Sequence, residues 1–151
     1  MLAAIRPDDW NLPLLVHVLG AMLLVGTTLM ATTAALVGWR SDNPTLARLA
    51  FRTLLLGVIP SWILMRVSAG WIESREGFGD ASPGWLQIGF IVAEPGLLLL
   101  LIATLLSGLG LRRARKGGGG GGLTRAGGVL AAILFVAYLV AVWAMTAKPG
   151  A

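Results

Sequence analysis

Three ionisable residues stand inside otherwise apolar runs: His17 in LLVHVLG, Arg66 in ILMRVSAG and Glu94 in IVAEPGLL. An imidazole can carry a proton or ligate a metal, a carboxylate can exchange a proton, and a guanidinium can neutralise it. Such groups are expensive in an apolar medium, and they usually pair with one another or mark a functional path. The chain holds a single His, so a bis-His haem site is excluded. His–Met ligation of haem stays open, with Met65 and Met145 as the partners, and soft Met beside His suits Cu(I) equally. Methionine is also an ordinary gap-filler in apolar cores. No Cys is present, which removes thiolate metal sites and covalent Cys chemistry. No HExxH, Gly-x-Ser-x-Gly or Ser–His–Asp order occurs either. The chain does not read as an enzyme.

The elements that must position these residues follow from composition. Of 151 residues, 56% are hydrophobic and only 13% charged, with a mean hydropathy of +0.81. Ordinary soluble domains carry roughly 25% charged residues. A hydrocarbon core of roughly 30 Å takes about 20 apolar residues as helix. Four stretches qualify, at 12–37, 49–72, 86–111 and 126–146. Nothing shows the alternation of barrel strands, and lipid leaves backbone groups no other partner, so the spans are predicted as helices. The expected fold is all-α: a single transmembrane domain built as an up-and-down four-helix bundle. The first span is too long, and Asp8 and Asp9 too acidic, for a cleaved signal peptide.

Charge sets the expected orientation. Arg40, Arg48 and Arg52 flank the first link, and Arg112, Arg113, Arg115, Lys116 and Arg125 the third, against Arg6, Arg75 and Lys148 elsewhere. By the positive-inside rule both termini and the acidic loop between Glu73 and Trp85 face outward. Trp10, Trp71, Trp85 and Trp143 then fall near the outer interface and Trp39 near the inner one. The net charge of +5 is thus a topology signal, and no nucleic-acid partner is expected. Contact of Arg112, Arg113, Arg115 and Lys116 with anionic lipid headgroups is expected instead. The six glycines at 117–122 read as a flexible inner tether.

At 1.5 Å per residue, His17, Arg66 and Glu94 lie about 8, 9 and 12 Å below the outer ends of their spans. Three residues on three helices share one level. Arg66 and Glu94 are predicted to meet if the second and third spans are neighbours. Stripes at His17-Gly20-Ala21-Thr28, at Arg52-Ile59-Arg66-Glu73 and at Gln87-Glu94-Thr104-Gly108 are expected to face one another inside the bundle. The layer then either fixes helix register or serves protons, ions or a redox ligand. Pro60 and Pro95 each remove a helix donor, and Pro95 does so beside the carboxylate.

The segment Leu14–Gly26, with His17 and Gly20, resembles the first helix of small bacterial four-helix membrane proteins of unknown function, which often carries a Leu-His-x-x-Gly element; here Val16 precedes His17. It is distantly similar to copper-resistance D-like membrane proteins. The resemblance covers about a sixth of the chain and implies an integral membrane protein with a possible link to copper or haem. The function expected from the whole is a non-enzymatic, accessory or structural component of a bacterial cytoplasmic membrane, without cofactor. Its partners would be the bilayer and other membrane subunits or further copies of itself. The alternative is a proton- or ion-conducting, or copper- or haem-binding, protein that uses the polar layer.

Overall fold

A computed structural model of the chain describes residues 11–76 and 84–147. Arg6, Trp10, Asp80 and Lys148, and the side chains of Glu76 and Trp85, lie outside that description. Among the described residues every regular element is helical. Helix α1 spans Asn11–Arg40; α2, Pro44–Thr53, runs through a π-helical turn at Leu54–Val58 into α3, Ile59–Glu76. Helix α4 spans Gly84–Arg115 and α5 spans Gly121–Ala147. Four helical segments, Asn11–Arg40, Pro44–Arg75, Leu86–Arg115 and Gly121–Ala147, are long and apolar enough to cross a membrane. Each extends past the apolar run, because the polar ends still satisfy their own backbone as helix.

Two short links join the helices at the basic end. Asn43 caps α2: its Oδ1 accepts from the Thr45 amide at 2.9 Å, and Pro44 occupies the first turn, where a missing donor costs nothing. The other link begins with a Schellman closure. Gly117 adopts φ +76°, Gly118 N–H donates to Arg113 O at 3.0 Å, and Gly117 N–H donates to Ala114 O at 3.2 Å. The six glycines therefore do not form one uniform tether. Gly117 closes α4, Gly120 is buried, and Gly121 and Gly122 already belong to α5.

The π turn has a local cause. Pro60 has no N–H, and its ring would strike the carbonyl of residue 56 in a regular helix. Widening the preceding turn, with Ile59 N–H donating to Leu54 O, relieves that crowding. The insertion shifts the phase of the span, so Arg52 and Arg66 do not share the face that a strict seven-residue spacing predicts.

The core mixes leucines with alanines. Leu24, Ala31, Leu54, Val58, Leu100, Ala103, Ala131, Leu134 and Tyr138 form one buried cluster. Buried Thr28 and Thr104 return their hydroxyls to Leu24 O and Leu100 O at 2.6 and 2.8 Å, a four-residue back-bond that keeps polar groups paired without water. Helix α4 packs along the length of α5, and α1 packs against both α5 and the α2–α3 span. By contrast α3 and α4 scarcely touch. Three seams are closed, and the fourth, between the second span and α4, is packed at α2 and opens along α3.

Candidate functional site

Glycines set how closely the closed seams approach. A Cβ on Gly127 would run into the Ser107 hydroxyl and lie 2.8 Å from Ala103 O, so only glycine lets α5 reach α4 there. A Cβ on Gly20 would lie 2.8 Å from the Met65 amide nitrogen and 3.0 Å from its Cα, which brings α1 onto the backbone of α3. One turn from Gly20, His17 Nδ1–H donates to the Met65 carbonyl at 3.2 Å. Ser68 Oγ–H donates to the same carbonyl at 2.9 Å and to Leu64 O at 2.8 Å. His17 and Gly20 thus grip one residue of α3, Gly20 by proximity and His17 by a hydrogen bond. A proton on Nδ1 leaves Nε2 as the ring atom able to accept a proton or ligate a metal.

Arg66 and Glu94 meet across the open seam. Arg66 Nη2 donates to Glu94 Oε1 at 3.2 Å, and the guanidinium lies over the Phe90 ring, 5.3 Å from its centroid. Beside them Trp62 Nε1–H donates to Ala93 O at 3.0 Å. The pair is not interior, however. The Glu94 side chain is 64% exposed and that of Arg66 29% exposed. Gln87 is exposed as well, whereas Thr104 and Ser107 are buried. The single polar stripe expected on this helix therefore divides in two. Ten helical residues separate Glu94 from Thr104, and at roughly 100° each they end about 80° apart.

His17 and the ion pair share α3 but not a face. Met65, which His17 grips, and Arg66 are consecutive and point about 100° apart around the helix. His17 thus belongs to the α1–α3 seam and Arg66–Glu94 to the α3–α4 seam. Met65 offers His17 its carbonyl, and the Met145 methyl is pressed onto Gly89 of α4. Among the described residues no three His, Cys, Asp or Glu side chains gather as a metal-binding group.

Most of the basic residues gather at one end of the bundle. Arg112, Arg113, Arg115 and Lys116 are all exposed at the end of α4, and Arg125 lies over Trp39, 5.1 Å from the ring centroid. Beneath them is a cavity of about 210 Å³, walled by Ala35, Ala47, Ala50 and Gly128, with Asp42 and Arg125 among its polar lining. Two buried hydroxyls, those of Thr32 and Tyr138, have no hydrogen-bond partner among the described residues. Sequence reasoning missed Tyr138, Trp62, Phe90 and Ser68. The available signal for Tyr138 was its status as the only tyrosine, set in the middle of an apolar run.

Comparison with known proteins returns no matching family model, no curated relative and no solved structure.

Proposed function

We infer that the chain is a small multi-pass protein of a bacterial cytoplasmic membrane, non-enzymatic, acting as an accessory or structural component of a membrane assembly. The observation that carries this reading is the placement of the Arg66–Glu94 pair. A proton or ion path needs polar groups lining an enclosed route through the bundle. Here the charged pair sits on an outward seam, and the ring nitrogen of His17 that is hydrogen-bonded holds two helices together. The Arg-rich links at one end support an orientation with both termini outside. Reporter fusions within residues 117–122 should read inside and fusions after Lys148 outside; the reverse pattern overturns this topology.

One observation favours a second reading. His17 Nδ1 is held by a backbone carbonyl, as in many ligating imidazoles, which points to Nε2 as the ring nitrogen free to ligate. A haem or copper ion taken by His17 would make the protein a redox or metal-handling component, in line with the resemblance of the first helix. The visible spectrum and metal content of the protein purified from its membrane decide between the readings. A colourless, metal-free preparation supports the accessory role. A Soret band or stoichiometric copper that disappears in His17→Leu overturns it.

A further inference from the structure

We propose that the open α3–α4 seam is the interface of a homodimer, in which Arg66 and Glu94 of one copy face Glu94 and Arg66 of the other. The inference deepens the accessory reading by naming the partner as a second copy of this chain.

Four observations carry it. The first is the seam itself. Helix α3 and helix α4 are neighbours in the bundle, yet they are bridged by side chains instead of being packed together. The second is the exposure of Glu94, whose carboxylate is held by Arg66 on one side and bare on the other. Ionised groups within a span almost always face protein or water. The third is unused capacity. A carboxylate accepts about four hydrogen bonds and a guanidinium donates about five, whereas one joins this pair. Both partners can bond again without giving up each other.

The fourth observation is spacing. Ile91, Glu94, Leu98, Leu101 and Leu105 are all exposed, and they recur at intervals of three, four, three and four residues. That is the seam of a left-handed helix pair. A stripe of Leu and Ile is equally at home against lipid, so the stripe alone names no partner. The charge within it does.

Symmetry selects the occupant. Arg66 and Glu94 lie side by side at one level on neighbouring helices. Rotating a second copy by a half-turn about the membrane normal sets its Glu94 opposite Arg66 and its Arg66 opposite Glu94. A face carrying one charge of each sign at equal depth is therefore complementary to itself, as a two-fold interface requires. The contact also satisfies the exposed side of the carboxylate in a medium that offers no water.

The chain has no native Cys, so single-cysteine cross-linking in vesicles of the full chain is unambiguous. Leu98→Cys, on the stripe, should form a disulfide-linked dimer under mild oxidation. Val136→Cys, on the exposed face of α5, should remain monomeric under the same conditions. Both changes lie on exposed apolar positions and leave the core untouched. The charge test mixes two versions of the Leu98→Cys chain, one with Arg66→Glu and one with Glu94→Arg. Each version repels its own kind, and the mixture should cross-link at least ten-fold more than either alone. Equal cross-linking at Leu98→Cys and Val136→Cys, or a mixture no better than its parts, overturns the dimer. A metal-free, colourless monomer would remove the dimer and leave the accessory reading in place. A haem-bearing dimer would do the opposite.

Discussion

The α4–α5 and α3–α4 seams join neighbouring helices of one bundle by opposite means. In the first, Gly127 and Ala131 of one helix face Ala103 and Ser107 of the other, and the backbones approach until any side chain would collide. In the second, long side chains bridge helices whose backbones come close at few points: Arg66 to Glu94, and Trp62 to the Ala93 carbonyl. The contrast shows how association works without a hydrophobic driving force. Lipid tails are as apolar as Leu, so helices gain by close packing where residues are small and by polar bonds where they are not. A packed seam is complete in itself, and a bridged one still has capacity to offer.

Breaking the closed seam should have the largest effect. Gly127→Val places branched carbons on Ser107 and Ala103 O, where backbone cannot yield, and should cost about 3 kcal/mol of stability. Thermal unfolding in detergent measures it; an unchanged midpoint would mean that α5 can slide on α4 freely. The α1–α3 seam comes next, because it is less extensive than the α4–α5 seam. Gly20→Val should cost about 2 kcal/mol. His17→Ala, which removes one hydrogen bond to the Met65 carbonyl, should cost about 1 kcal/mol by the same assay.

The open seam should respond more weakly. Arg66→Leu, Glu94→Leu and the double change define a cycle, and membrane-protein cycles give coupling energies near 0.6 kcal/mol and at most about 1.7. The 3–5 kcal/mol typical of a fully buried pair is not expected, because Glu94 is more than half exposed. A coupling above about 3 kcal/mol would show the pair to be shielded, and so would sharpen the case for a covering partner. The smallest expected change has the opposite sign. Tyr138→Phe deletes a buried hydroxyl with no partner among the described residues and should be neutral or raise stability by about 1 kcal/mol. A loss of stability instead would reveal a bond that the hydroxyl makes in the membrane.

The four spans were legible because a helix that must satisfy its own backbone in hydrocarbon leaves a long apolar run as its trace. The meeting of Arg66 and Glu94 was legible for a related reason: opposite charges at equal depth on consecutive spans have few other partners. The side on which they meet was not. A seven-residue spacing keeps one face only in a regular helix, and the π turn ahead of Pro60 resets the phase of the second span; on α4 the ten residues from Glu94 to Thr104 already turn the face by about 80°. The grip of Gly20 and His17 on Met65 was hidden for another reason, since one partner is a carbonyl that no residue letter encodes. The glycine run misled by composition: one residue takes a positive φ, another is wedged against α4, and two begin a helix.

What the sequence determined by itself is thus the number of apolar spans and the pairing of Arg66 with Glu94, because both depend on distance along the chain. Which helices close and which stay apart was decided only in three dimensions. Rotation about each helix axis accumulates by about 100° per residue, and one extra residue in a turn redirects everything beyond it. The outward face of Glu94 depends likewise on how α4 is turned about its own axis where it packs on α5.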